Sequence, residues 1–312
     1  MAILVVGSVA FDSIETPHGR VDHCLGGAAT HFSLAASYFT DVRVIAVVGE
    51  DFLPKHEAVM TARGIDTRGL ERAPGLSFHW TGAYAGMMSE AQTLGTDLNV
   101  FEKFEPKIPA EYADSEYLFL ANIDPVLQAR VRKQMPNVKM VCGDTMNYWI
   151  KDHAANLALV LRELDVLLIN DGEARMLSGE TNPVRAARAV MAMGPKALVV
   201  KHGEYGATAF FSERMFGGGA ARPFRAPALP LAEVVDPTGA GDSFAGGFYG
   251  YLASQPVLTP AVFRRAMFYG GVMGSFAVER FGTERLQAVT RAEIEARFEL
   301  FREISHLDAA EV

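Results

Sequence analysis

Val234-Val235-Asp236-Pro237-Thr238-Gly239-Ala240-Gly241-Asp242-Ser243-Phe244 is the most informative run in the chain. Two β-branched residues predict a short strand, and Gly-Ala-Gly predicts a tight turn into a helix over 240–253. Gly239 and Gly241 let the backbone come close to a ligand and aim free N–H groups at it. The helix N-terminus adds partial positive charge, so the turn reads as an anion hole. Asp242 falls in the first helical turn beside that hole. A carboxylate is a poor device for holding an anion. It suits a base that takes the proton from a hydroxyl attacking a phosphoryl group. The plainer alternative, a helix-capping residue after an ordinary glycine turn, stays open on these residues alone.

Outward from this run, the chain alternates apolar strands with helical patterns. Continuous apolar runs at 2–6, 42–48, 117–121, 138–142, 166–169 and 197–200 predict buried parallel strands. Helical spacing predicts helices at 28–39, 125–134 and 154–163, and a helical C-terminal third at 240–253, 260–279 and 291–304. Strand and helix in alternation mean an α/β fold around a mostly parallel sheet. Two segments, about 13–25 and 76–104, break the rhythm and predict a small accessory β-sheet outside the main layer. Gly217-Gly218-Gly219-Ala220 reads as a solvated loop.

The chain has 312 residues and a net charge of −8, with no basic run. That composition excludes an electrostatic footprint for nucleic acid and gives little reason to sit on an anionic membrane. Phosphates must therefore be handled by local groups. Cys24 and Cys142 form neither a disulfide framework nor a metal spacing, which fits a reducing compartment. The N-terminus lacks a basic region before Asp12, so no signal peptide is expected. The uncharged stretch 243–263 is broken by Gln255, Pro256 and Pro260, too early to span a bilayer. The expectation is a soluble cytoplasmic protein.

The run at 234–244 matches the second signature of the ribokinase-like (PfkB) family of sugar and nucleoside kinases. Gly26-Gly27-Ala28-Ala29-Thr30, opening a helix, resembles that family's first signature. Val48-Gly49-Glu50-Asp51 resembles its Gly-Asp-Asp-like turn, and Asn170-Asp171-Gly172-Glu173 its Asn-x-x-Glu motif. Lys201-His202-Gly203-Glu204-Tyr205-Gly206 resembles its nucleotide-side glycine loop. These landmarks occur in family order over nearly the whole chain. The resemblance implies one ribokinase-like kinase domain over 1–312, a three-layer αβα sandwich with the accessory segments as a β lid.

It also implies roles. Asp242 resembles the catalytic base, and the amides of Gly239, Ala240 and Gly241 the hole for the transferred phosphoryl group. Thr238 matches a position near the nucleotide phosphates, and Asp236 one near a monovalent cation such as K⁺. Asn170 and Glu173 match residues that organise Mg²⁺, largely through water; their spacing alone equally fits a capping box. Lys201, Gly203 and Gly206 fall on the nucleotide side, although Lys201 reads nearly as well as a solvated lysine. Asp12, past the first strand, matches an Asp that holds substrate hydroxyls, and Gly26 and Gly27 match the substrate-side hinge. Where the family usually has Asn, this chain has His31, which suits a hydroxyl partner, a base-stacking ring or simple packing. Asn122 fits the pocket rim, and Asn122 with Asp124 equally fits the start of the helix at Pro125. Trp80, Tyr84 and Phe101 either close on the substrate or form the apolar face of the lid.

No GxxxxGK[ST], protein-kinase motif, HExxH or GxGxxG after the first strand is present. The expected reaction is transfer of the γ-phosphoryl group of ATP, with Mg²⁺, to a hydroxyl of a small sugar. An adenosine-type nucleoside kinase is the alternative. A ligand-binding regulator on the same fold is a third reading, against which the carboxylate of Asp242 argues. By analogy of fold, the lid suggests a homodimer.

Overall fold

The computed structural model describes residues 1–218 and 222–306. Gly219 and Ala220 of the glycine patch lie outside the described residues. Among the described residues, thirteen strands form two sheets. In chain order they are β1 (Ala2–Val6), β2 (Ala10–Thr16), β3 (Gly19–Gly26), β4 (Asp41–Val48), β5 (Asp66–Arg72), β6 (His79–Ala83), β7 (Gln92–Asp97), β8 (Tyr117–Leu120), β9 (Met140–Asp144), β10 (Val166–Asn170), β11 (Ala197–Lys201), β12 (Ala207–Phe211) and β13 (Phe224–Ala226). The large sheet runs β13-β12-β11-β10-β9-β8-β1-β4-β5, and every pair from β11 to β5 is parallel. β12 and β13 close one edge antiparallel.

The apolar runs are buried on both faces, which is why they are continuous rather than alternating. Ile3 and Val5 join one core, with Phe32, Phe119 and Phe248; Leu4 and Val6 join the other, with Leu118, Leu167 and Leu198. The first core is covered by the helices Ala28–Ala36, Ala240–Ala253, Pro260–Ala277 and Arg291–Ser305. The second is covered by Pro125–Gln134, Ala154–Leu161, Asp171–Ser178 and Pro183–Ala192. This is the three-layer arrangement.

The helices that open at the two glycine motifs pack directly on each other. A Cβ added at Gly246 would lie 2.3 Å from the Phe32 carbonyl oxygen, and one at Gly250 2.9 Å from Ala36 Cα. That close approach fixes both helix starts at the same end of the sheet. There β1 sits between β8 and β4, so the strand order reverses around it, the usual place for a ligand crevice in an open α/β sheet.

Over this crevice lies the small sheet, in the order β3-β2-β6-β7. β2 follows β1 after three residues, pairs antiparallel with β3 and parallel with β6, and β6 pairs antiparallel with β7. Residues 99–103 form a 3₁₀ turn instead of extending the sheet. The 48–51 turn braces the lid's second entry, where Gly49 N–H donates to Ser77 Oγ (2.9 Å) and Ser77 N–H to Asp51 Oδ1 (2.8 Å).

Candidate active site

Gly239 adopts φ +71°, a left-handed conformation that favours glycine, and caps the helix Ala240–Ala253. The strand expected at 234–235 does not form. Val235 N–H donates to the Val278 carbonyl, but no ladder develops, because Pro237 has no N–H to extend it. The turn is held by Asp236 instead. This carboxylate is 0% exposed, and its two oxygens accept from Thr238 N–H and Gly282 N–H, each at 2.8 Å. Asp236 therefore clamps the turn to the 278–282 segment.

Asp242 is half-buried one residue beyond Gly241. Burial raises its pKa, while the charge of Lys201 pulls it back. The Lys201 ammonium lies against the glycine turn, with Nζ 2.8 Å from where a Cβ on Gly241 would sit. β11 carries Lys201 to this point, and the 3₁₀ turn Gly203–Tyr205 follows. Gly206 packs so closely on β13 that an added Cβ would lie 2.1 Å from the Ala226 carbonyl oxygen, whereas Gly203 is open.

Asn170 and Glu173 form a reciprocal capping box. Asn170 Oδ1 accepts from Glu173 N–H (2.7 Å), and Glu173 Oε2 accepts from Asn170 N–H (2.8 Å). Glu173 is nevertheless buried near Lys201; burial raises its pKa and Lys201 opposes the rise. The box thus holds a carboxylate at the carboxyl end of β10.

One residue absent from the sequence reading completes the cluster. Asp144 ends β9, is buried, and its Oδ1 has no hydrogen-bond partner. Its pKa is driven well up, first by burial and then by the charge of Asp242, with Lys201 opposing. A signal was available in the sequence: Asp144 lies just past an apolar run, at the sheet end where Asp12 and Asn170 were sought. Asp144, Glu173 and Asp242 thus all act on Lys201, and one Asp144 oxygen is orphaned. Among the described residues no three such groups stand close enough to ligate a metal directly, so these oxygens suit a divalent cation that keeps its water shell.

On the other side of the crevice, Asp12 lies within β2 and is 5% exposed. A Cβ on Gly26 would lie 1.9 Å from Asp12 Oδ2, so only glycine leaves room for the carboxylate. Gly27 has φ +92° and turns the chain into the first signature helix. Burial pushes Asp12 up to about 7, against a hydrogen bond from Gly27, and the charges of Asp236 and Asp242 add to the rise.

β2 and β6 are in parallel register with Asp12 opposite Trp80, so the two share a lid face. Gly82 makes room for the indole; a Cβ there would lie 2.1 Å from the Trp80 ring, whose Nε1–H donates to Thr93 Oγ1 (3.3 Å). Phe101 stacks instead with Phe78 and Phe104 in apolar packing.

His31 does not open onto this crevice. It is 1% exposed, and its ring lies beneath Gly239, 2.4 Å from where a Cβ would sit. Neither ring nitrogen has a hydrogen-bond partner, and burial lowers its pKa to about 4, so the ring is neutral. It backs the turn from below. Asn122 is occupied as well: Oδ1 accepts from Trp149 Nε1–H (2.8 Å), while Asp124 caps the helix at Pro125.

A left-handed glycine turn at a helix N-terminus, a carboxylate with a raised pKa and a lysine beside it, and a buried Asp under the lid are the arrangement a small-molecule phosphotransferase needs. The model of the pfkB family carbohydrate kinases matches residues 2–289, and the chain belongs to that family. It is an ATP-binding kinase with an alcohol group as acceptor. Among curated proteins it is 30% identical to a cytidine kinase of Thermococcus kodakarensis over 82% of this chain and 90% of that protein. It is 24% identical to an adenosine kinase of Schizophyllum commune over 81% and 79%. Its fold is shared by Burkholderia thailandensis nucleoside kinase in complex with inosine (TM-score 0.75, 22% identity, covering 96% and 98% of the two chains). A candidate Ribokinase II from E. coli, solved with ATP and Mg²⁺, matches similarly (TM-score 0.76, 21%, 96% and 99%). No helix among the described residues is long and apolar enough to cross a membrane.

Proposed function

We propose that this enzyme is a nucleoside kinase, transferring the γ-phosphoryl group of ATP to a ribose hydroxyl. The observation that carries this choice over a free sugar is Trp80 beside Asp12 on one lid face. A free sugar presents hydroxyls all round, and polar partners serve it best. A nucleoside pairs a hydroxylated ring with a flat aromatic base, which suits a carboxylate beside an indole. The names of the cytidine and adenosine kinase relatives support the same reading.

In this proposal Asp12 accepts hydrogen bonds from ribose hydroxyls. Asp242 takes the acceptor hydroxyl proton as its oxygen attacks the γ-phosphorus, and the bond to the ADP oxygen breaks. Burial makes Asp242 more basic than an ordinary carboxylate, which favours that transfer. The amides of Gly239, Ala240 and Gly241, with Lys201, offset the charge on the transferred group. Asp144 and Glu173, with Asn170, would hold Mg²⁺, which supplies charge neutralisation on the phosphates when bound. Thr238, Gly203 and Gly206 border the nucleotide. Asp236 acts as the clamp of the turn, and a K⁺ requirement is left to a salt comparison in the same assay.

The test is ADP release with Mg²⁺ and a panel of cytidine, adenosine, inosine, ribose and fructose. Nucleosides should saturate at lower concentration than either sugar. Trp80→Ala should raise the nucleoside KM about tenfold and leave any ribose turnover unchanged. Saturable turnover of a free sugar alone would select the sugar-kinase reading instead.

A further inference from the structure

Tyr84 is the last residue that the lid anchors over the crevice. Its N–H donates to the Glu15 carbonyl (2.8 Å), continuing the β2–β6 pairing by one step. The next residues leave the sheet as a turn, with Gly86 at φ +57°, Met88 at φ +52° and Met87 exposed. Its hydroxyl lies 3.2 Å from Thr238 Oγ1, on the opposite wall of the crevice. Thr238 is itself fixed through its N–H by Asp236, immediately before Gly239. The contact is therefore a direct side-chain link between the lid and the turn that carries the anion hole.

The surroundings are unusual for a phenol. Burial pushes Tyr84 up to about 12, against the hydrogen bond it accepts from Thr238, and the charges of Asp236, Asp12 and Asp242 add to the rise. The phenol stays protonated across the working range, and its oxygen accepts the Thr238 hydroxyl proton. Among the described residues, its hydrogen bond to Thr238 joins a lid side chain to the 236–242 turn.

We propose that Tyr84 is a positioning residue whose hydroxyl latches the closed lid to the phosphoryl turn through Thr238, so that enclosure of the acceptor and seating of the turn occur together. The proposal rests on reading 239–241 as the phosphoryl cradle. A bond made only when the lid is down favours the closed state by its own net worth. For one neutral hydrogen bond that is about fivefold in population. Asp12 and Trp80 set what enters; Tyr84 sets whether the closed lid is in register with the chemistry opposite.

The test combines a double-mutant cycle with a probe that needs no acceptor. Tyr84→Phe keeps the ring and removes the hydroxyl; Thr238→Val removes its partner; Thr238→Ser keeps it. Turnover of the best nucleoside is measured for each single variant and for the double. Tyr84→Phe is expected to lower kcat about fivefold while ATP affinity, measured without acceptor, is unchanged. Thr238→Ser should retain the contact, and the double variant should fall no further than Thr238→Val alone. In parallel, acrylamide quenching of Trp80 is read in a Trp149→Phe background without substrates, with and without Tyr84→Phe. An opened lid should make Trp80 more accessible. Unchanged quenching, or losses that multiply in the double variant, would overturn the latch. If no nucleoside is turned over, the nucleoside reading fails, and quenching still decides the latch by itself.

Discussion

Asp12 is a carboxylate that the fold makes costly to charge. Its pKa is raised to about 7, chiefly by burial, so between the unfolded value and 7 the native state holds a proton that the unfolded chain has released. Stability from this group is full below about 4 and is lost as pH rises through 7. Asp12→Asn should therefore raise the melting temperature relative to wild type at pH 8 and change it little at pH 4. The gain at pH 8 should be about 1–4 kcal/mol. The same variant should lose the rise of acceptor kcat/KM through pH 7 if, as proposed, the ionised form accepts the acceptor's hydroxyls. A melting temperature unchanged at both pH values would remove the buried charge from the account. Asp242→Asn should leave folding and ATP binding near wild type and lower kcat by about 10²–10⁴, read by ADP release. Both residues were singled out in the sequence through the resemblance of their motifs to the family, since a carboxylate beside a glycine turn also serves as a helix cap. Asp144 was not. Its place just past an apolar run was the one local signal, and its meaning arises only when β9 and β10 bring it to Lys201 and Glu173.

The glycine turn behaves as an element with two different constraints. Gly239 is constrained by its own backbone and by the His31 ring beneath it. Gly239→Ala should cost about 2–4 kcal/mol in urea melts, combining left-handed strain with overpacking. Adding His31→Ala should be less destabilising than the sum of the two single changes, because the overlap then disappears. Strict additivity would show that the ring does not support the turn. Gly241 meets only the mobile end of Lys201. Gly241→Ala should leave stability unchanged or slightly improved, since alanine suits a helix, and still raise the KM for ATP by displacing the ammonium. Sequence reasoning found the strong elements because their apolar runs are buried on both faces. It passed over β5, β12 and β13, which lie at or next to sheet edges and carry mixed sequences such as Asp66–Arg72. His31 was ambiguous for a related reason. An isolated ring at helical spacing says nothing about which turn will land on it.

At the scale of the whole molecule, the C-terminal helix reaches the site through a charged brace. Glu279 accepts from Arg285 and Arg297, each at 2.6 Å, and Arg285 also reaches Glu293 at 2.8 Å. Ile294, Phe298 and Phe301 dock that helix on the first core. Glu279 lies in the segment whose Gly282 amide holds Asp236. Glu279→Gln should leave two partly buried arginines short of a charge and destabilise by about 1–3 kcal/mol in thermal melts. Turnover should fall at temperatures well below the melting point, because the Asp236 clamp loosens before the core does. A variant that melts early but works normally when folded would confine the brace to stability. The overall αβα plan was legible from strand and helix alternation. The brace was not, since its partners are separated by surface-like sequence and meet only after the last helices pack.

The lid with Asp12 and Trp80 comes from the first hundred residues, whereas Asp144, Lys201 and the glycine turn come from the chain beyond β8. In the proposed roles, recognition and chemistry are thus written in consecutive stretches, a layout on which recombination can act. One crossover in the segment before β8 would give a descendant a new acceptor half and leave its phosphoryl-transfer half inherited whole. The seams such a hybrid must match include the β1–β8 ladder, the close approach of Gly246 and Gly250 to the helix Ala28–Ala36, Phe32 on Phe119, His31 beneath Gly239, and Tyr84 against Thr238. Offspring that keep those pairings should diversify in diet without relearning how to move a phosphate.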